Sequence, residues 1–171
     1  MRSAILSIII CFSLKQSQAQ EWKPFTDTAG YYTATYPETW TQKIKEGNRV
    51  FFTSPLETDN DAFRQNVNIS TTVSGEFNGE KIKELAPDLV KSLETSYEEY
   101  TFIGSRYFTW NGIESYEIIY SFKPKGLDYL VRTKQWLSIK KDVLYVATYT
   151  APNETDAFAE TAIRILNGIR F

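Results

Sequence analysis

The stretch that decides the fold is TFIGSRYFTWNGIESYEIIYSF, Thr101–Phe122. Two alternating, aromatic-rich runs, Thr101 to Thr109 and Ile113 to Phe122, flank Asn111-Gly112. That pair is preferred in a type I′ hairpin turn, because both residues tolerate positive φ. The pattern repeats toward the C-terminus. Leu127 to Lys140 and Val143 to Thr150 are again β-rich, with turn residues at Pro124-Lys125-Gly126 and Lys141-Asp142. Four strands in succession predict an antiparallel meander across the C-terminal half.

Beyond the meander a helix is expected after Pro152, with Asn153 as N-cap, Glu154 and Asp156 near its positive end and Gly168 as its stop. Its inward stripe is Phe158, Ala162, Ile165, Leu166 and Ile169. Upstream, short strands are expected at Tyr31 to Tyr36, Arg49 to Thr53 and Asn66 to Ser74. In the last of these, Val67, Ile69, Thr71 and Val73 alternate with Asn66, Asn68, Ser70 and Thr72, the mark of a strand with one wet face. A helix over Glu80 to Tyr97 places Ile82, Leu85, Ala86, Leu89, Leu93 and Tyr97 on one side, and Pro87 is expected to open its main part after an irregular first turn. Strands grouped in a meander, with helices between and after them, give an α+β fold: an antiparallel sheet covered by helices, an α-β-α sandwich.

The N-terminus carries Arg2, an apolar run from Ala4 to Leu14 and a polar stretch ending Ser17-Gln18-Ala19. This reads as a signal peptide over residues 1–19, with a single domain over 20–171. A membrane anchor is the competing reading, but the apolar run is about 11 residues against the roughly 20 that a spanning helix needs. Cys11 follows Ile8-Ile9-Ile10, which does not suit a lipidation site. Cleavage would place the protein outside the cytoplasm, in the periplasm or secreted, with no stable membrane span. It would leave 17 basic against 21 acidic side chains, a formal charge of −4, which argues against nucleic acid as a partner.

The sequence has no histidine, and Cys11 is its one cysteine. A Ser-His-Asp triad, a cysteine nucleophile and zinc sites built on His or Cys are therefore excluded from the mature chain. Serines, lysines and acids are abundant but form no recognisable catalytic spacing. Glu57, Asp59 and Asp61 alternate in one loop, as ligands of a hard cation can, yet the loop lacks the glycine and distal glutamate of a calcium-binding hand. A solvated acidic loop is the simpler reading, and no cofactor is expected.

Two sets of residues suggest a binding role. On the strand Leu127 to Lys140, Tyr129, Val131, Leu137 and Ile139 read as the buried face. Arg132, Lys134, Trp136 and Lys140 then turn to the other side, as a possible face for an anionic or protein partner. The competing reading packs the Trp136 ring under a covering helix while the cations reach water. Trp22, Phe25, Tyr31, Tyr32, Tyr36 and Trp40 crowd the N-terminal segment. They read either as core or as a groove lined by Trp22, Tyr32 and Trp40.

Gly30-Tyr31-Tyr32-Thr33-Ala34-Thr35-Tyr36-Pro37-Glu38-Thr39-Trp40 runs a strand into a Tyr-Pro turn and a tryptophan. An aromatic-rich strand reaching Pro55 is followed by Asn66-Val67-Asn68-Ile69. Ala162 to Phe171 closes the chain with a helix and an aromatic-tipped end. These patterns resemble the PsbP/DcrB-like family of extracytoplasmic domains, in its opening strand and Tyr-Pro turn and in its closing helix and aromatic-tipped strand. The resemblance implies an α-β-α sandwich. It also implies an accessory or envelope role and no enzyme, since photosynthetic members assist the oxygen-evolving complex and other bacterial members are envelope proteins. These are packing motifs, so no functional residue is carried over. The expectation is a non-catalytic binding or accessory module assisting an envelope protein assembly. The alternatives are a carrier of a small apolar ligand or a carboxylate-based hydrolase.

Overall fold

The computed structural model describes residues 20–45, 49–58, 63–154 and 156–171. The segment read as a signal peptide, with Cys11, and Asp59 and Asp61 of the acidic loop, lie outside the described residues. In chain order the elements are β1 (Trp22–Thr26), β2 (Thr33–Pro37), β3 (Thr41–Lys45), β4 (Arg49–Thr53), β5 (Asn66–Val73), α1 (Ile82–Ser96), β6 (Glu98–Trp110), β7 (Ile113–Lys123), β8 (Val131–Lys140), β9 (Val143–Pro152) and α2 (Ala159–Gly168). β1 and β2 form a separate hairpin, and the other seven strands make one sheet in the order β3-β4-β5-β9-β8-β7-β6. Every pairing in that sheet is antiparallel.

The meander forms as the turn chemistry requires. Asn111 and Gly112 both take positive φ, 53° and 79°, and Asn111 Nδ2 also donates to the Ile169 carbonyl at 2.9 Å, tying the β6–β7 turn to the C-terminus. β9 then pairs with β5 over eight residues, from Asn66↔Thr150 to Val73↔Val143, joining the two halves of the chain into one sheet.

Both faces of the sheet carry a packed layer, and the one formed by α1 covers only part of its face. Under α2 and the β1–β2 hairpin lie Trp40, Phe52, Val67, Ile69, Trp110, Trp136 and Tyr145, packed against Tyr32, Ala34, Ala162, Ile165, Leu166 and Ile169. On the opposite face, Ile82 and Ala86 of α1 meet Tyr116, Ile118, Tyr120, Leu137, Ile139 and Leu144. This is the expected α-β-α sandwich. α1 lies over β6, β7 and β8.

Several boundaries depart from the sequence reading for identifiable reasons. α1 runs through Pro87 instead of opening at it; the proline sits on the exposed flank, where solvent reaches the carbonyl that its missing N–H would have bonded. α2 starts at Ala159 and not after Asn153. The Asn153 N–H is committed to the Leu130 carbonyl, and the Asp156 carboxylate accepts from the Tyr149 hydroxyl, so this segment is held against the sheet before the helix begins. Gly168 ends α2 without a left-handed turn. A side chain there would stand 2.8 Å from Thr35 Oγ1, so the glycine permits close approach of α2 to β2. β8 begins at Val131, so Tyr129 falls in the preceding loop and is not part of a strand face. β1 and β3 have no counterpart in the sequence reading.

Candidate functional site

Strand alternation places Arg132, Lys134 and Trp136 on the face covered by α2, with Thr133, Gln135 and Leu137 on the other. The expected parity is therefore observed, but Trp136 is not displayed to a partner. It is 4% exposed, with ring centroids 5.0 Å from Phe108 and 5.4 Å from Trp110. Its Nε1–H donates to Glu117 Oε2 at 2.7 Å.

Glu117 is the electrostatic centre of this face. Its buried carboxylate also accepts from Arg106 Nε at 2.8 Å and lies 3.9 Å from Lys134 Nζ. Burial opposes its ionisation, but the hydrogen bonds from Trp136 and Arg106 and the charges of Lys134 and Arg106 outweigh that. The carboxyl is held below the usual glutamate range. Lys134 thus belongs partly to a structural cluster.

Arg132 differs. It is exposed and makes no ion pair among the described residues. It stands at a cleft of about 240 Å³ between the sheet and α2, lined also by Ile119, Lys134, Tyr149, Asp156 and Ile163. The Tyr149 hydroxyl is within reach of Gln65 Oε1 at 2.7 Å and of Asp156 Oδ1. Burial, and then Asp156, raise its pKa well above the ordinary tyrosine range, so it stays a proton donor. Two cations and two isoleucines, set against the one carboxylate of Asp156, can hold an anionic group with an apolar stem. Lys140 does not join them, because it lies eight positions along the strand from Arg132, about 26 Å.

The N-terminal aromatics do not form a groove. Tyr32 and Trp40 are 2% and 3% exposed. Trp40 packs edge-on against Phe158 at 5.8 Å, and the half-buried Trp22 ring is covered by the Arg164 guanidinium at 4.1 Å. All three fill the layer between hairpin, sheet and α2. The two carboxylates buried among the described residues have structural partners: Glu117 those above, and Asp27 the Tyr31 N–H. Glu57 of the acidic loop accepts from Gln65 Nε2 at 2.5 Å.

One surface escaped the sequence reading. Beyond the reach of α1, a depression of about 170 Å³ is lined by Arg49, Asn68, Ser70, Thr133, Gln135, Val146, Thr148 and Thr150, with Tyr97, Tyr120 and Phe122 at one side. The wet face expected for Asn66, Asn68 and Ser70 was its signal. Its other members come from β8 and β9, and their register against β5 is not visible in a sequence.

The family profile of PsbP matches residues 20–162. The chain belongs to the PsbP family. No curated protein matches it significantly. Among solved structures, this PsbP chain is similar to cyanobacterial PsbP (CyanoP) from Synechocystis sp. PCC 6803, at 11% identity and a TM-score of 0.60, covering 94% of this chain and 98% of that one. It is also similar to LpqN, involved in cell envelope biogenesis of Mycobacterium tuberculosis (11% identity, TM-score 0.61, 86% and 87% covered). The Ran-binding protein Mog1p of Saccharomyces cerevisiae shares the fold as well (11%, 0.57, 89% and 96%). The chain spans 47% of a longer Bacteroides thetaiotaomicron protein with the same fold. At these identities the likeness is one of fold. Among the described residues no helix is long and apolar enough to cross a membrane.

Proposed function

We propose that this PsbP-family chain is an extracytoplasmic, non-catalytic binding module that holds an acidic segment of an envelope protein in the cleft beside α2. The observation that carries the reading is Arg132, a cation without an ion pair among the described residues, standing beside Lys134 at the mouth of that cleft. Such a cation costs nothing to leave in water but gains a charge-assisted bond when a carboxylate arrives. The reading is supported by the fold, which serves a Ran-binding protein in one neighbour and a protein of cell envelope biogenesis in another. It is also supported by the two interlayer spaces, which among the described residues are packed with aromatic and branched side chains and so favour a binding module over a carrier.

The test compares wild type with Arg132→Glu, which leaves the Glu117 cluster intact. The partner is identified by native mass spectrometry of the protein purified gently from its own envelope fraction. Its affinity is expected to fall about tenfold or more in the variant, at unchanged melting temperature. Equal affinity would overturn the assignment of this cleft.

A further inference from the structure

We infer that the opposite face of the sheet carries a second site, a groove that binds an acidic oligosaccharide. It goes beyond the protein-binding reading and shares no residue with it.

Asparagine is depleted in strands, yet Asn66 and Asn68 both sit in β5, the third strand of a seven-stranded sheet. Register extends them into rows of polar groups. Asn68 pairs with Thr148 and Thr148 with Gln135, while Asn66 pairs with Thr150 and Thr150 with Thr133. The result is a grid of amides and hydroxyls about 4.8 Å apart across the strands and about 6.7 Å apart along them.

These groups only partly satisfy one another. Asn68 Nδ2 reaches Asn66 Oδ1 at 3.4 Å, Gln135 Nε2 reaches Thr148 Oγ1 at 3.1 Å, and the Thr133 and Thr150 hydroxyls are 3.3 Å apart. Thr133 and Thr148 are buried and Asn66 Nδ2 also reaches the Arg64 carbonyl at 3.4 Å, but an amide offers two donors and an oxygen with two lone pairs, so Asn68 and Gln135 keep capacity to spare.

The groove has two unlike rims. On the α1 side Tyr97 stacks on Phe122 at 4.1 Å and on Tyr120 at 5.8 Å, a ring wall with Tyr97 exposed. On the β3–β4 side, Lys43, Lys45, Arg49 and Phe51 line a wide shelf. Lys45 Nζ lies 4.4 Å over the Phe51 ring. None of these three cations makes an ion pair among the described residues.

The chemistry selects the ligand class. A protein interface is centred on aromatic and apolar residues and is poor in serine, whereas this floor is serine, threonine and amide around a single valine, Val146. A nucleic acid would need a broader cationic surface than three residues on a chain of net charge −2. An oligosaccharide bearing carboxylates fits every part: its hydroxyls exchange hydrogen bonds with the grid, its C–H faces lie on the rings, and its charges meet Lys43, Lys45 and Arg49.

The experiment is calorimetric titration of the full chain with an oligogalacturonate, alongside a neutral galactose oligosaccharide and poly-glutamate, followed by NMR of the side-chain amides. Binding of the oligogalacturonate alone is expected, with shifts at the Asn68 and Gln135 amides. It should weaken about tenfold in Arg49→Glu and comparably in Asn68→Ala/Gln135→Ala. Those side chains are half-buried or exposed, and unchanged melting temperatures show that the variants fold. No binding of the oligogalacturonate overturns the proposal. So does equal binding of the neutral sugar, which removes the role of the cations, or tighter binding of poly-glutamate, which reassigns the face to a protein. Amide shifts elsewhere overturn the location.

Discussion

The carboxylate of Glu117 lets Trp136 be buried, and replacing it with glutamine isolates its charge. In Glu117→Gln the amide oxygen can still accept from Trp136 Nε1, now 2.7 Å from a charged acceptor. A bond to a charged group contributes about 1.5–3 kcal/mol and a neutral one about 0.5–1.5, so roughly 1 kcal/mol is lost there. Arg106 is 63% exposed and Lys134 sits 3.9 Å away, so solvent screening limits their joint loss to about 1 kcal/mol. The expected total is about 2 kcal/mol, a fall in melting temperature of about 4–8 °C for a chain of this size. The pH dependence follows from the depressed pKa. The contribution is fully present above the unfolded value near 4.5 and is lost as pH falls through the lower folded value. Urea denaturation of both proteins should therefore show a gap at neutral pH that closes on acidification. Equal stability at neutral pH, or a gap that widens in acid, would refute the reasoning.

Other expectations follow from single contacts. Asn111→Ala removes the bond to the Ile169 carbonyl and forces alanine into positive φ, and should cost about 2–3 kcal/mol by urea denaturation. Pro87→Ala restores a backbone N–H inside α1 and should stabilise the protein by about 1–3 kcal/mol, read as a raised melting temperature. Ile165→Ala, at a fully buried position on the inner face of α2, should cost about 2–5 kcal/mol. In Gly168→Ala, the gain of about 1 kcal/mol usual for a helix should be reversed by the contact with Thr35 Oγ1, and should reappear when Thr35→Ala is added.

The parts of the fold legible in the sequence are those governed by short-range chemistry. Asn111-Gly112 and Pro124-Lys125-Gly126 announce turns, and the runs between them alternate, so the meander could be read directly. β1 and β3 could not, because Trp22-Lys23-Pro24 and Gln42-Lys43 carry little apolar pattern and lie outside the sheet or at its edge. Trp136 shows a different limit. Its parity was readable, but parity assigns a side, not an exposure, and here both sides carry a packed layer. The Asn and Ser alternation of β5 announced a wet face, while its partners on β8 and β9 depend on a pairing between residues about eighty positions apart.

That long-range pairing also separates the two cationic sites, and ionic strength should reveal it. Arg132 lies beside Asp156, whereas Lys43, Lys45 and Arg49 stand together on the far face with no acid lining their shelf among the described residues. Because the chain as a whole is acidic, net charge repels an anionic ligand from both, and attraction must come from groups within about one Debye length, roughly 8–10 Å near physiological salt. At the shelf three like charges act together, so raising salt should weaken oligogalacturonate binding steeply. At the cleft the nearby carboxylate already offsets part of the field, and much of the binding comes from the apolar walls of Ile119 and Ile163, so the partner's affinity should fall more gently. Titrations of both ligands across the same salt series check this. Parallel slopes would mean that the cleft is as purely electrostatic as the shelf, and that the isoleucines contribute no apolar contact.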